Sequence, residues 1–441
     1  MRFDYLCTIM MNSRVKIAAV GLGNRTCKYL RYVAEHQDFV ELVAVVDTDS
    51  SRFVNVLNAF DIPAGYCFDS LDAMAESGIC IDACIIGTPD KFHHEMAIKA
   101  MRYGWHVLLE KPMGQTSEQC DEIVRVSKDT GKMVSVCYVL RYHPYFIKLK
   151  ELTEHPEVGC IRSVNHIERV GKDRMTHTFI RGPWNKAEMN TSVFFTKCCH
   201  DVDFVLWLIG DDVVSINSAH GQRMFTQPSL DAADRCLGCP IEGDCHYSAV
   251  DLYLRRKDWI QGFIPQTGET LEDTICRMLR ESRYGRCVYG CPEHDAFEFQ
   301  SVELNMSSGI MAEIMMECNT DESARLTTID CENAVIFGDE CTITIRYKDE
   351  RPEETYDFSW AMSKDLHAGA DLLIIEEFIN AIRSGLLQTR TSGMTPFLSH
   401  KICFVAERPD LTLRYKSLTL RDFVAALRHP SPPAAGRCKT Q

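Results

Sequence analysis

From Val15 the chain runs through β-branched and small apolar residues, VKIAAV. Glycines follow, and then NRTCKYLRYVAEH, whose apolar positions recur at helical spacing. This pattern predicts a strand, a tight turn and a helix. It then repeats. ELVAVVD reads as a strand ending on Asp47, and IDACIIGTPD as a strand ending at Thr88-Pro89. A helix from His93 to Tyr103 leads into HVLLE, a strand that stops at Glu110-Lys111-Pro112. Strands alternating with helices predict a parallel, doubly wound sheet whose ligands lie beyond the carboxyl ends of its strands. Farther on the period shortens. FEFQSVELNMSSGIMAEIMMECNT and SARLTTIDCENAVIFGDECTITIRYK alternate as antiparallel strands do, with turns at SSG and CEN. HAGADLLIIEEFINAIRSG reads as a helix, with His367 and Asp371 near its start as pocket or capping residues.

The fold class expected is α/β, with a doubly wound sheet over residues 14–138 and a C-terminal α+β domain over 139–428. Residues 1–13 form an extension ahead of the first domain, and a Cys-rich insertion occupies 231–292 of the second. The tail 429–441, HPSPPAAGRCKTQ, is expected to be disordered, having prolines and little to bury. A length of 441 residues suits two cores better than one, and 45% hydrophobic with 25% charged residues is ordinary globular composition. The net charge of -14 disfavours nucleic acid, whose affinity for proteins rests on Lys and Arg meeting phosphates, and leaves small molecules as the partners. No apolar run approaches the ~18–20 residues that cross a bilayer. The opening MRFDYLCTIMMNSR lacks a basic start followed by an apolar stretch. The expectation is a cytoplasmic protein with no membrane partner.

Gly21 and Gly23 suit a turn in which backbone approaches a pyrophosphate and the next helix offers its first amides to it, as in a Rossmann dinucleotide site. Thr26 stands where the third glycine of that fingerprint would be. Asp47 falls 26 residues after Gly21, close to where a ribose-binding acid belongs. It would accept from ribose hydroxyls and repel a 2′-phosphate, favouring NAD over NADP; otherwise it caps the helix that begins near Ser51. The 21 cysteines are an odd number in a chain with no signal peptide, which weighs against a disulfide framework. Cys80, Cys84, Cys137 and Cys403 sit in apolar segments as small hydrophobes. Cys236, Cys239 and Cys245, with Cys287 and Cys291 later, differ in lying in polar, turn-rich stretches. Four of the five could hold a structural zinc that pins the insertion; an iron–sulfur cluster or plain free thiols are the alternatives.

The segments GLGNR, GTPDKFHHEMAIKAMRYGWHVLLEKP and LRYHPYF resemble the glucose-fructose oxidoreductase, inositol dehydrogenase and MocA (Gfo/Idh/MocA) family, from Val15 to near Leu427. The resemblance implies an NAD(P)-dependent oxidoreductase acting on sugars or cyclitols, with an open antiparallel sheet whose free face makes homodimers or homotetramers. It places Gly21, Gly23, Asn24, Arg25, Asp47, Thr88, Pro89, His93, Glu110, Lys111 and Pro112 on the cofactor. His93 could equally be a surface residue. Lys111 would lie beside nicotinamide and substrate, hydrogen-bonding the reacting hydroxyl. His200, in SVFFTKCCHDVDFVLWLIG, matches the family's acid–base histidine, but the aspartate usual four residues earlier is Thr196 here. Lys197 and Asp201 flank that histidine, and Arg141, Tyr142, His177, Arg181 and Trp184 are the further substrate-pocket candidates. Glu298, Phe299 and Gln300 stand where the branch carries Asp-His-Gln, so a histidine is lost there too.

Three activities fit these residues. The first is hydride transfer at a hydroxyl-bearing carbon with Lys111 and His200 flanking it. The second is a redox-neutral glycosidase or lyase that oxidises its substrate transiently. The third is a dinucleotide-binding regulator without catalysis, suggested by the departures at Thr26, Thr196 and Phe299.

Overall fold

The computed structural model describes residues 14–407 apart from 61, 187–190, 222–224, 228–230, 261–262, 264, 292 and 363–365, together with the backbone of 413–414. The extension 1–13, the tail 429–441 and the side chain of His367 lie outside the described residues. Six parallel strands form the first sheet: β1 (Val15–Val20), β2 (Val40–Val46), β3 (Cys67–Phe68), β4 (Ala83–Ile86), β5 (His106–Leu109) and β6 (Val134–Val136). Their order is β3-β2-β1-β4-β5-β6, so the direction of winding reverses between β1 and β4. A crevice opens at such a switch point, beyond the strand ends. Helices α1 (Asn24–Glu35), α2 (Phe53–Ala59), α3 (Leu71–Glu76), α4 (His93–Arg102) and α5 (Ser117–Thr130) make the crossovers. Strands β4, β5 and β6 are buried at every residue, as strands covered on both faces must be.

Past α6 (Pro144–Thr153) the chain builds a nine-stranded, mostly antiparallel open sheet from β7 (Ile161–Gly171), β8 (Val213–His220), β9 (Phe299–Met306), β10 (Met311–Thr320), β11 (Ala324–Cys331), β12 (Ala334–Gly338), β13 (Thr342–Tyr347), β14 (Glu354–Asp357) and β15 (Leu413–Arg414). Among the described residues, only the central β7–β10 pair of this sheet is parallel. Alternate residues of β7, among them Val164, His166, Glu168 and Val170, point to the covered face. There lies α7 (Val193–Ile209), started by the Ser192 side chain accepting from Phe195 N and ended at Gly210 with φ +71°.

The Cys-rich insertion is bound by its own small core around Tyr253, Phe263, Ile275 and Leu279, with α8 (Leu271–Glu281) opened by a Thr270–Asp273 capping box. Two late helices return to the first domain. α9 (Ala370–Ser384) packs Ile374, Ile375 and Phe378 into the same core as Tyr29 and Val33 of α1, and α10 (Met394–Ala406) lies along α7. Among the described residues no helix is long and apolar enough to cross a membrane.

Candidate functional site

The turn after β1 is where the two halves of the first sheet touch. Gly21 has φ +81°, and a Cβ there would lie 2.8 Å from Thr88 N, so only glycine fits between the β1 and β4 exits. α1 begins at Gly23 with no side-chain cap and no acid in its first turn, which leaves its amino-terminal N–H groups free for an anion. Thr26 does not spoil this packing. A Cβ on Gly87, across from it, would lie 2.2 Å from Thr26 Oγ1, so the glycine that allows close approach has moved from the helix to the strand exit. Asp47 accepts from Leu22 N at 2.7 Å and from Asp49 N at 2.9 Å, which fixes the carboxylate at the carboxyl end of β2 with lone pairs to spare. The cap of the turn at Ser50–Arg52 is Asp49, not Asp47. Thr88 Oγ1 is buried without a protein partner at the same edge. An uncapped helix start, a glycine-only turn and an unpartnered hydroxyl suit a dinucleotide.

Lys111 leaves the end of β5 and donates from Nζ to the Thr196 carbonyl at 2.8 Å. That carbonyl belongs to α7 one turn before His200, so the lysine and the histidine share one stretch of helix surface. The His200 ring meets Tyr138 edge-on at 5.5 Å. His93 is buried and bridges the two strand exits, with Nδ1 2.6 Å from Pro112 O and Nε2 2.8 Å from Thr88 O. His400, on α10, holds the same loop from behind. Its Nε2 accepts from Met113 N at 2.9 Å, while Nδ1 lies 2.8 Å from both Tyr138 Oη and Pro396 O. Burial pushes the His400 pKa down to about 4, helped by the nearby Lys111 charge, so the ring is neutral near pH 7.

Arg25 and Glu110, two residues expected on the cofactor, are bonded to each other. Arg25 donates from Nε to Glu110 Oε1 at 2.7 Å, from Nη2 to Tyr29 Oη at 2.7 Å, and from both terminal nitrogens to Asp371 at 2.5 and 3.1 Å. Burial disfavours the charged arginine, but Glu110 and Asp371 outweigh it and hold its pKa above the usual range. The three groups tie α1, the end of β5 and α9 together. Asp371 thus resolves as a partner of Arg25.

Residues 15–138 match the family described as the oxidoreductase family with an NAD-binding Rossmann fold, GFO_IDH_MocA. This domain belongs to the Gfo/Idh/MocA family. Inositol 2-dehydrogenase 2 of Saccharopolyspora erythraea is 25% identical over 47% of this chain and 58% of its own length. A 1-carboxy-3-chloro-3,4-dihydroxycyclohexa-1,5-diene dehydrogenase of Comamonas testosteroni is 27% identical over 58% of this chain and 62% of its own. The chain therefore spans less than two thirds of these curated relatives. Beyond the Gfo/Idh/MocA domain, the whole fold is similar to an oxidoreductase from Agrobacterium radiobacter solved with NAD+, L-tartaric acid and magnesium (TM-score 0.65, 14% identity, 90% of this chain, 96% of that one). It is likewise similar to the WlbA dehydrogenase from Bordetella pertussis solved with NADH and UDP-GlcNAcA (TM-score 0.61, 18% identity, 90% and 96%).

Several residues expected around the substrate serve other contacts in this protein. Arg141 is buried and grips Asp203 with two bonds of 2.6 and 2.8 Å, and Tyr142 donates to Glu377. Asp201 faces the second sheet, because it lies one residue past His200 and so about 100° round the helix. It is 2.9 Å from His166 Nε2 and 2.6 Å from Arg325 Nε, and these partners hold its pKa down against the effect of burial. Lys197 pairs with Glu168 at 2.7 Å. His177 is enclosed by Tyr253, Trp259 and Tyr284, with its pKa lowered by burial to about 4. Arg181 spends Nε and Nη2 on the Arg286 and Tyr247 carbonyls, fastening the insertion. Trp184 donates to Asp90 at 3.3 Å and so lies against the β4 exit. Phe299 is exposed on the outer face of the sheet, so the lost histidine is no loss to the cleft.

The zinc expectation finds no support. Among the described residues no three Cys, His, Asp or Glu side chains form a group that could hold a metal. Cys236, Cys287 and Cys291 are buried, Cys239 and Cys245 half-buried, and all five are free thiols. Backbone pairing between Cys236 N and Gly285 O, and between Cys287 N and Asp234 O, aligns their segments without a metal, and Cys236 is part of the insertion's apolar core.

Proposed function

We propose that the protein is an NAD-dependent oxidoreductase acting at a hydroxyl-bearing carbon of a sugar, cyclitol or related polyol. The observation that carries this reading is the bond from Lys111 Nζ to the Thr196 carbonyl, which points the ammonium at the His200 surface of α7 from the end of β5. Gly21, Gly23, Asn24, Asp47 and Thr88 would hold the dinucleotide, with Asp47 favouring NAD over NADP. When bound, NAD supplies the hydride acceptor. Lys111 has three N–H bonds, one spent on Thr196 O, and presents the others to the substrate hydroxyl, lowering its pKa. His200 accepts the hydroxyl proton. Thr196 stands four residues before His200, where the family's usual form carries an aspartate. Tyr138 and the neutral His400 behind it fix the Lys111 loop while hydride leaves.

The relatives named as inositol and cyclohexadiene-diol dehydrogenases support a cyclic polyol as substrate class. The outer face of the second sheet, where Met315, Ile167 and Leu326 lie side by side on adjacent strands, would join copies of the chain. Absorbance at 340 nm during incubation with NAD+ and a panel of cyclitols, aldoses and sugar acids tests the activity. Lys111→Ala should cut kcat by about 10²–10⁴-fold and leave NAD+ affinity nearly unchanged. Equal turnover in the variant, or a product formed with no net NADH, would contradict the dehydrogenase reading.

A further inference from the structure

Arg174, in the helical turn that follows β7, is a half-buried cation without an ion pair among the described residues. Its Nε is enclosed without a hydrogen-bond partner. Among the described residues no carboxylate forms an ion pair with it, and its guanidinium lies over the Trp259 ring, 4.8 Å from the centroid. Burial pulls its pKa below the ordinary arginine value, with the field of Glu168 as the opposing influence. A guanidinium with one enclosed, unpartnered N–H and no carboxylate beside it is available to an anion from outside.

Its surroundings connect it to the proposed site. Lys111 bonds to Thr196 O, the adjacent Lys197 bonds to Glu168, and Glu168 lies on the strand that leads into Arg174. Lys197 and Arg325 take up the carboxylates of this row, Glu168, Asp201 and Glu340, in ion pairs, and none of the three is paired with Arg174. Beside Arg174, Trp259 adopts φ +58°, a left-handed conformation that a bulky residue rarely takes. Its ring also lies 5.2 Å from that of His177.

We propose that Arg174 and Trp259 form a carboxylate subsite, so that the substrate is an acidic sugar or cyclitol derivative bearing one carboxylate. A single guanidinium without a carboxylate partner matches one planar carboxylate, and a flat aromatic face beside it fits a ring that carries its acid. This rests on the oxidoreductase reading for the position of the reacting carbon, but the carboxylate contact is measurable without turnover.

The test is calorimetric binding of D-glucuronate, D-glucose and D-glucose 6-phosphate to the full chain saturated with NAD+. Wild type, Arg174→Met and Arg174→Lys are compared, with NAD+ affinity measured separately in each. Glucuronate should bind wild type at least ~10-fold more tightly than glucose. That preference should vanish in Arg174→Met, persist in part in Arg174→Lys, and leave NAD+ affinity unaltered. Equal binding of glucose and glucuronate overturns the proposal, as does a preference that survives Arg174→Met, the tightest binding by the phosphate ester, or no carboxylate binding at tens of millimolar. Loss of NAD+ binding in wild type would instead sink the oxidoreductase reading, and the carboxylate preference would still be read.

Discussion

Gly21 carries the sharpest single-residue prediction. Its φ of +81° and the 2.8 Å separation between an added Cβ and Thr88 N leave no room for alanine. Gly21→Ala should cost about 1–3 kcal/mol of stability and lower NAD+ affinity further, because the strand exits must part; urea unfolding and calorimetry read the two effects. His400 sets a pH dependence. Its folded pKa of about 4 lies below the ordinary histidine value, so the unfolded chain binds its proton first as pH falls. The stability it contributes is complete above the unfolded value near ~6.5 and is lost as pH drops from there toward about 4. His106 and His177, also lowered to about 4, add in the same direction. Urea unfolding should therefore weaken from pH 7 to pH 5 by on the order of 2 kcal/mol for each such ring, with a shallower slope in His400→Gln. A flat profile would contradict the neutral, buried ring.

At the scale of elements, what was legible in the sequence was local. The switch from helical to strand period, the glycine turn and the strand ends at Asp47, Thr88 and Lys111 are written in contiguous residues, and the structure has them where the pattern put them. The rest depended on partners far along the chain. Arg25 follows the glycines and so reads as a cofactor residue, but its partners Glu110 and Asp371 are 85 and 346 residues away. His400 secures Met113 from 287 residues off. Arg141 and Asp201 read as pocket groups from residue type alone, but their partners Asp203, His166 and Arg325 lie 62, 35 and 124 residues away. The α9 latch is testable. Asp371→Asn should cost about 2–3 kcal/mol, the lower end for a buried pair, since a third of the Arg25 side chain stays in water. Faster hydrogen exchange in α1 and α9, with β10 and β11 unaffected, is the expected signature.

In the whole molecule, the β1–β4 switch point of the first sheet and α7 of the second domain are linked through Lys111, which leaves β5 and bonds to Thr196 O. The first sheet supplies the uncapped start of α1, the Gly21 turn and Lys111; the second supplies His200 and the charged row that ends at Arg174. α9 and α10 come back from the end of the described chain to brace Arg25 and the Lys111 loop, so the cofactor edge is held by both halves. The central claim is that this edge binds NAD. Calorimetric titration of the purified chain with NAD+ and NADP+, in wild type and Gly21→Ala, tests it most directly. The account predicts saturable binding of one NAD+ per chain, tighter than NADP+ and strongly weakened in the variant. No NAD+ binding by wild type, or equal binding by Gly21→Ala, would contradict it.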